Sequence, residues 1–355
     1  MERQKLAELF HATAAIDTAE GMEAYKAFAQ ALTVPILQEI RDASIMRQLY
    51  AVEQLPAGAQ AVYPVADDFE IPVFVLPGLG YIAQNFIEGV GEEVYVPTFA
   101  ISVSADWKVT YARDSRIDIP ERAARNAARA IADYEEDSGW RVIVPAVTTD
   151  FTGQGLLGAR NAPVNQIPAG ATGEKFLSKE LINMMIVGMK RTRRSLTDLY
   201  ISPEDAADIR EWTDTQVDPT TRREIFQAAG MGNIWNVNMH EVFQLGASGR
   251  FNINSTATTY GVFQAAGGSF NNYDLTNENV VDANGMVTTA GETQIYGFDL
   301  SVNDSLVMPI RKEYEAHDDP TLLRQQKQGF FGWEEIGMAC LDSRMISMGI
   351  IDRVA

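Results

Sequence analysis

Residues 117–146, which read IDIPERAARNAARAIADYEEDSGWRVIVPA, constrain the fold most, because they predict a long helix whose two faces differ sharply. Asp118 and Glu121 resemble a capping box at its start, and Pro120 is tolerated in a first helical turn. The small and apolar side chains share one face at helical spacing: Ala124, Ala127, Ala128, Ile131 and Tyr134. The charged side chains share the other face: Arg122, Arg125, Arg129, Asp133 and Glu136.

Alanine side chains allow a close approach but bury little area each, so this helix is predicted to be a strut and not a core anchor. Three arginines on its charged face, Arg122, Arg125 and Arg129 (the Arg row), indicate that another segment lies across it. The apolar end of the stretch, WRVIVPAV at 140–147, is predicted to leave the helix and form a buried strand. A Gly/Pro-rich loop is predicted at 152–174.

The chain before this helix divides into a helical part and a β-rich part. Residues 2–50 predict helices with breaks, which form either an arm that docks on another molecule or an ordinary N-terminal helical layer. Residues 60–112 predict strands, and their apolar alternation changes phase at Pro97, which indicates a bulge or an edge strand. No Lys or Arg occurs in 48–107, whereas eight acidic residues do: Glu53, Asp67, Asp68, Glu70, Glu88, Glu92, Glu93 and Asp106.

The second half of the chain predicts two capped helices among many strands. Residues 178–190 predict an amphipathic helix capped by Ser178, and 198–212 predict a strand followed by a helix capped by Ser202. The first of these helices is predicted to bury Leu181, Ile182, Met185, Ile186 and Met189. Residues 247–295 are predicted to form β-hairpins with long turns, and the final block from 305 onward is predicted to return to strands.

Charge and cysteine usage exclude several classes of protein. A formal net charge of −19 over 355 residues argues against a nucleic-acid binder, which needs clustered cations to displace counterions from phosphates. The single cysteine, Cys340, excludes an internal disulfide and a thiolate metal site and suits a reducing compartment. No stretch reaches the ~18 apolar residues that cross a bilayer, and the N-terminus lacks the apolar core of a signal peptide. We therefore expect a soluble protein made in the cytoplasm.

The sequence offers no catalytic or cofactor-binding constellation. Glycines at 78–83 and 153–158 imitate the dinucleotide fingerprint, but neither pattern has the helix and the acidic residue that a nucleotide site requires. His11, His240 and His317 lack metal-ligand spacing, and Cys340 has no base close to it in sequence. We predict no enzyme activity, no cofactor and no metal. The cations at 190–194 are predicted to close a helix and not to bind nucleic acid.

Three stretches resemble segments of the major capsid proteins of tailed bacteriophages, which have the Hong Kong 97-type fold. LTDLYISPEDAADIREW at 196–212 resembles their strand–helix segment, with a Pro and an acid at the helix start and a closing Trp. GMGNIWNVNMHEVFQLG at 230–246 resembles the segment that follows, although Asn236 stands where a glycine is usual. GWEEIGMACLDSRMISMGIID at 332–352 resembles their closing strand pair. The order of the elements matches over nearly the whole chain.

The resemblance implies an α+β fold in which each part of the chain has a place. An N-terminal arm would occupy 1–55, and an extended β-hairpin, called the E-loop in this family, would occupy 56–112. A peripheral domain with the long spine helix would occupy 113–175 and return at 301–355. An axial domain would occupy 176–300.

In this fold the E-loop of a neighbouring subunit lies across the spine helix, so the resemblance implies a subunit contact. Glu92 and Glu93 of one subunit would meet Arg122, Arg125 and Arg129 of the next. Each exposed pair contributes only ~0.2–1 kcal/mol, but a closed shell repeats the contact many times.

The resemblance also implies a function and a set of partners. The chain would assemble with itself into hexamers and pentamers of an icosahedral head, in the host bacterial cytoplasm, and would remain in the virion capsid. Double-stranded DNA would be enclosed without tight binding, which the acidic total suits because a negative lining repels DNA. A separate scaffolding protein, a portal and optional decoration proteins would be the other partners, with no membrane. We expect no removed N-terminal scaffolding segment, and no Lys–Asn crosslink, since 48–107 contain no lysine.

Two other functions remain open on the sequence alone. An encapsulin nanocompartment shares the fold and encloses cargo enzymes, so the contents of purified particles would distinguish it from a phage head. A soluble α/β oxidoreductase belongs to a different class, and it would retain a nucleotide on purification.

Overall fold

The computed structural model describes residues 32–41, 44–56, 58–64, 93–114, 119–146, 165–167, 175–191, 193–212, 232–246, 260–263, 270–273, 292–301 and 305–353. Within these ranges the helices are 32–41 (α1), Met46–Leu49 (α2), Val109–Asp114 (α3), Ile119–Ala146 (α4), Lys179–Arg191 (α5) and Pro203–Glu211 (α6). The strands are Ala51–Gln54 (β1), Val62–Pro64 (β2), Glu93–Tyr95 (β3), Phe99–Lys108 (β4), Asn165–Ile167 (β5), Asp198–Ile201 (β6), Asn233–Ile234 (β7), Val237–Glu241 (β8), Tyr260–Phe263 (β9), Phe270–Tyr273 (β10), Glu292–Phe298 (β11), Leu306–Asp318 (β12), Lys327–Ile336 (β13), Ala339–Cys340 (β14) and Ile346–Asp352 (β15). Two short 3₁₀ turns, Pro320–Gln325 and Ser343–Met345, join the last strands.

The first sheet has the strand order β1-β12-β13-β4, with β14 paired to β12. Its edge strand β4 pairs antiparallel with β13 along its whole length, from Phe99 opposite Ile336 to Lys108 opposite Lys327. The predicted phase change at Pro97 is confirmed, because β3 ends at Tyr95 and β4 begins at Phe99. A proline cannot donate to a sheet ladder, so the pairing is interrupted there.

The second sheet has the strand order β5-β15-β11-β6-β8-β7, and helices α5 and α6 cover one of its faces. The predicted amphipathic helix is confirmed as α5, which buries Leu181, Ile182, Met185 and Met189 and half-buries Ile186. The other face of this sheet carries Tyr200, Tyr296 and Phe298 into the core that contains α4. The last strand of the chain, β15, therefore lies in the same sheet as β6 and β8.

Both predicted helix caps are confirmed. The backbone N–H of Leu181 donates to Oγ of Ser178 at 3.3 Å. At α6 the N–H of Asp205 donates to Oγ of Ser202 at 3.1 Å, the Ser202 N–H donates to the Asp205 carboxylate at 3.0 Å, and Pro203 fills the first turn. These contacts satisfy backbone N–H groups that have no partner inside a helix, so a local sequence pattern is sufficient to place them.

The long helix is longer than its sequence predicts. Residues 140–146 were expected to form a buried strand, but α4 continues through them and ends at Ala146. Trp140 and Ile143 are fully buried three residues apart, and the Trp140 ring lies 5.4 Å from the ring of Tyr296 and 6.2 Å from that of Tyr200. The preference of β-branched residues for strands is weak, and packing of a helical face against the second sheet overrides it. Helix α4 thus spans both sheets.

The buried face of α4 also differs from the prediction at two positions. Ala124, Ala127, Ala128 and Ile131 are buried as expected, whereas Tyr134 is 46% exposed. Glu136, placed on the charged outer face by its spacing, is buried. The reason is that residues 44–50 pack on the helix at this level and cover a side that the alanine periodicity leaves open.

The N-terminal helices pack into the core of their own chain. Leu32, Ile36 and Ile40 of α1 recur every four residues and are buried, as are Met46 and Leu49 of α2. Gly139 lets α2 approach α4, since a Cβ at that position would overlap the thioether of Met46. The sequence left open whether residues 2–50 form a docking arm or an ordinary helical layer. Residues 32–50 form a helical layer on their own chain, and residues 1–31 lie outside the described part of the chain.

Several predicted features lie outside the described residues. They are Asp118, both glycine patterns, residues 65–92 of the predicted β-rich part, and most of the loop at 152–174, of which β5 is described. The predicted hairpins at 247–295 are represented by the antiparallel pair β9 and β10. Asn236, which replaces the usual glycine, has φ +66° in the two-residue turn between β7 and β8, and Asn adopts this region more readily than most residues.

Candidate assembly surface

The Arg row lies on the exposed side of α4, as its spacing predicts. Arg122 is exposed, and the side chains of Arg125 and Arg129 are 51% and 68% exposed. Arg125 pairs with Glu121 one turn earlier on the helix, and Nε of Arg129 lies 3.8 Å from the Glu39 carboxylate of α1. Because both side chains are more than half exposed, and exposed pairs of this kind contribute little to stability, the guanidinium groups are accessible to an anionic partner.

The predicted acidic counterpart is not brought to the Arg row within one chain. Glu93 begins β3, where its backbone pairs with Pro64 of β2, and Glu92 lies outside the described residues. Two other acidic residues of the 48–107 region have partners in their own chain. The Glu53 carboxylate accepts a 2.9 Å hydrogen bond from Tyr63, and Asp106 pairs with Lys327 at 2.6 Å. The contact between Glu92, Glu93 and the Arg row therefore stays a prediction about two subunits.

An aromatic pair marks the place where the start of β4 meets α4. The rings of Phe99 and Tyr134 lie 6.3 Å apart in an edge-to-face arrangement, directly after the break at Pro97. Tyr134 is half-exposed here. Sequence periodicity assigned Tyr134 to the core and missed this surface.

A buried charge cluster fastens the N-terminal helices to the rest of the molecule, and sequence analysis missed it entirely. Arg47 of α2 donates to Glu135 of α4 at 3.0 and 3.1 Å and to Glu334 of β13 at 3.1 Å. Next to it, Glu136 accepts hydrogen bonds from the Ile45 backbone N–H at 3.3 Å and from Gln244 at 2.6 Å. The two residues of each of these hydrogen bonds are 88 to 287 positions apart in the chain, so no local sequence pattern could reveal the cluster.

Two carboxyl groups of this cluster, those of Glu136 and Glu334, have raised pKa values. Burial raises the pKa of Glu136 to about 7, the hydrogen bond from the Ile45 N–H opposes the rise, and the neighbouring charges of Asp133, Asp137 and Glu135 add to it. Burial also raises the pKa of Glu334, and the charge of Glu135 raises it further, while Arg47 opposes the change. The cluster therefore holds protons near neutral pH.

A second ionic contact fastens the C-terminal end of β15 to α6. Arg353 donates to Asp205 at 2.5 Å and to Asp208 at 2.6 Å, and Asp205 is fully buried. Burial raises the pKa of Asp205, while its hydrogen bonds with Ser202 and the charge of Arg353 oppose the rise. The capping aspartate of α6 thus also orients the end of the chain.

The histidines and the cysteine occupy structural positions in the described part of the chain. His240 stacks on Tyr200 at 4.7 Å and contacts Asp198 at 2.9 Å, and His317 stacks on Trp333 at 4.6 Å. His11 is not among the described residues. Cys340 is buried, and burial raises its thiol pKa to about 12.

The cations predicted to close a helix do so: Arg191 ends α5, and the N–H of Arg194 returns to the carbonyl of Met189 at 2.9 Å. Among the described residues no group of His, Cys, Asp and Glu side chains has an arrangement that would hold a metal ion. No helix within the described ranges is both long enough and apolar enough to cross a bilayer.

Comparison by sequence is uninformative, since no protein-family model and no curated protein matches this chain. Comparison by structure, in contrast, finds solved proteins that match most of this chain. The capsid protein of cyanophage P-SCSP1u is 10% identical and matches 86% of this chain and 87% of its own, with a TM-score of 0.53. The mature capsid of bacteriophage PhiM1 is 11% identical, with 86% of both chains covered and a TM-score of 0.52. The capsid of cyanophage Pam1 is 12% identical, with 86% and 89% covered and a TM-score of 0.52.

At such low identity these matches establish a fold, and the fold agrees with the resemblance that three short stretches indicated. Two packed sheets, the long helix α4 across both, and a hairpin leading into the edge strand β4 form one arrangement that extends over most of the chain. The chain therefore has the Hong Kong 97-type fold of phage capsid proteins.

Proposed function

We propose that this chain is a major capsid protein that assembles into the icosahedral head of a tailed bacteriophage and encloses its double-stranded DNA. The observation that supports this most is the extent of the structural match, because three phage capsid subunits cover 86% of the chain with TM-scores above 0.5. The net charge of −19 agrees with a container for DNA that does not bind its contents tightly.

The proposed division of the chain follows the family pattern. Residues 1–55 would form the N-terminal arm, of which 32–50 pack on the body of their own subunit, and 56–112 would form the E-loop, whose base is the pair β2–β3. The peripheral domain would include α4 as its spine helix within 113–175 and the long strands β12 and β13 within 301–355. The axial domain, 176–300, would contain α5, α6 and the strands between them. Strand β15 would join the two domains, since it pairs with β11.

The proposed subunit contact joins the E-loop of one subunit to the Arg row of its neighbour. Support comes from charge, since 48–107 contain no Lys or Arg, and from the exposure of Arg125 and Arg129. Hexamers and pentamers would repeat this contact around each capsomer. A separate scaffolding protein, a portal and decoration proteins are proposed as further partners, and the virion as the final location.

Reversing the charge of the Arg row is expected to block assembly while the subunits stay folded. Arg125→Glu with Arg129→Glu places like charges across every proposed contact, and Glu is nearly as good a helix former as Arg. Each contact changes by only ~1 kcal/mol or less, but a capsomer repeats it. We expect shells to disappear in electron micrographs and to return partly at raised salt, because exposed charges are screened over ~8–10 Å at physiological ionic strength.

The matched control is Arg210→Glu, which reverses the charge of another exposed arginine. Arg210 lies on α6 and pairs with an acidic residue, Glu241 of β8. It should leave shells intact. Adding Glu92→Lys and Glu93→Lys to the double arginine variant should restore assembly if these are the partners. Normal shells from the double arginine variant alone would show that the row is merely solvated.

Negative-stain microscopy of the purified wild-type protein tests the proposed function itself. We expect closed shells or capsomer-sized oligomers, and packaged DNA in particles taken from infected or lysogenic cells. A compact monomer in light scattering across salt and pH would contradict a shell function. Shells that hold a single protein species would identify a cargo compartment, and a retained nucleotide on a monomer would identify an enzyme.

A further inference from the structure

The contact between residues 44–50 and helix α4 contains more negative than positive groups. The side chains of Glu135 and Glu334 are fully buried, and both contact a single guanidinium, that of Arg47. Within the described residues Glu136 accepts its hydrogen bonds from uncharged donors, the Ile45 N–H and the Gln244 amide. Counted over the described side chains, full ionisation of Glu135, Glu136 and Glu334 would place three negative charges beside the one positive charge of Arg47 in a region with little water.

The surrounding charged groups add to this excess. From α4, Asp133 and Asp137 act on Glu136, and from β12, Glu313 acts on Glu334 and on Arg47. The guanidinium of Arg41 on α1 forms an ion pair with the carboxylate of Glu313, at 2.6 Å. The facing phenol of Tyr314 also lies beside Glu334. A buried carboxyl that lacks a matching positive charge keeps its proton instead of ionising.

Residues 44–50 form the cover of this cluster. Ile45 and Arg47 contact the carboxyl groups directly, Met46 packs on Gly139, and the Tyr50 hydroxyl donates to the Gly139 carbonyl at 3.0 Å. Movement of this segment away from α4 would expose Glu135, Glu136 and Glu334 to water together. In water the carboxyl groups of Glu136 and Glu334 would regain an ordinary pKa of ~4.3.

We propose that residues 44–50 are a pH-sensitive latch, which protonated Glu136 and Glu334 hold closed on α4 and which opens when these carboxyl groups lose their protons. The proposal goes beyond the shell function and does not depend on it, since the latch lies within one subunit. Its opening would release the N-terminal helices α1 and α2 from the spine of the molecule.

The direction of the pH effect follows from linkage. In the closed state the pKa of Glu136 is raised to about 7 and that of Glu334 is also raised, so the closed state binds more protons than the open state. The stabilisation is complete below pH ~4.3 and declines as pH rises through the closed-state pKa values. Each proton released changes the open-to-closed ratio by about tenfold per pH unit at most. From about pH 5 to 7 both groups contribute in the same direction.

Pulsed electron paramagnetic resonance on the full chain tests the latch. Spin labels are attached at Gln48→Cys and Ser104→Cys, two exposed positions on α2 and β4, in a Cys340→Ala background. Labelled subunits are diluted with unlabelled chain, so that only distances within a subunit are read. We expect one narrow distance distribution at pH 5.5, and a second, longer component whose share relative to the first rises at least tenfold by pH 9. The far-ultraviolet circular dichroism should remain that of a folded protein.

Two variants separate the latch from a general effect of pH. Glu136→Gln with Glu334→Gln keeps both groups neutral, so the narrow distribution should persist at pH 9. Glu121→Gln changes an exposed carboxyl group elsewhere on α4. In this control variant the latch should open with pH as it does in the wild type. If the double variant does not fold, Glu136→Gln alone should remove the part of the transition near pH 7. A wild-type distance distribution that stays narrow from pH 5.5 to 9.5 would overturn the proposal. So would a folded Glu136→Gln, Glu334→Gln variant whose distribution broadens as that of the wild type does.

Discussion

Arg47→Met is expected to lower the free energy of unfolding by about 3–5 kcal/mol at pH 7, because it leaves the fully buried Glu135 carboxyl without its positive partner. Methionine retains the apolar stem of the side chain, so the loss reports on charge more than on packing. Urea unfolding followed by circular dichroism measures it. The loss should be smaller at pH 5, since a carboxyl group left without its partner can take up a proton there.

Arg41→Met is the matched control for this prediction. Arg41 lies on the neighbouring helix α1 and pairs with Glu313, but its side chain is half-exposed. Exposed pairs of this kind contribute ~0–1 kcal/mol, so the control should unfold almost as the wild type does. An equal loss of stability in the two variants would contradict the assignment of Arg47 as a buried anchor.

Trp140→Ala is expected to destabilise the protein by about 3–5 kcal/mol, the usual cost of removing a buried aromatic side chain. The indole is fully buried where α4 crosses onto the second sheet, and it contacts the rings of Tyr200 and Tyr296. Its removal would leave a cavity between the helix and the sheet that carries α5 and α6 on its far side. Thermal unfolding and urea unfolding should both shift.

Two companion variants make the Trp140 prediction specific. Trp140→Phe should cost less than ~1.5 kcal/mol, because it keeps most of the ring volume and removes an indole N–H that has no partner in the described residues. Trp235→Ala, at the half-exposed tip of the β7–β8 hairpin, should change stability by no more than ~0.5 kcal/mol. A small effect of Trp140→Ala would mean that α4 does not depend on the second sheet for its last two turns.

Features that depend on neighbours in the sequence could be predicted. The caps at Ser178 and Ser202, the inward row of α5 and the interruption at Pro97 all follow from contacts within a few residues, and the structure confirms each of them. The exposure of Arg125 and Arg129 follows in the same way from helical periodicity. The fold class came from the order of such features together with three short stretches that resemble a known family.

Features that depend on distant parts of the chain could not be predicted. The sequence at 140–146 prefers a strand locally, yet Trp140 and Ile143 have a sheet to pack against only when the residues stay helical. Periodicity placed Glu136 in solvent, because nothing near it in sequence reveals that Ile45 and Gln244 come to cover it.

The sequence by itself thus determined where the capped helices α5 and α6 begin, where the Arg row lies on α4, and how negative the molecule is, since these depend on short-range geometry and composition. Only the tertiary structure decided how far α4 extends and which of its carboxyl groups lose contact with water. The physical reason is that burial is a property of the assembled core: Glu135 loses contact with water only when Arg47, 88 residues away, is placed over it.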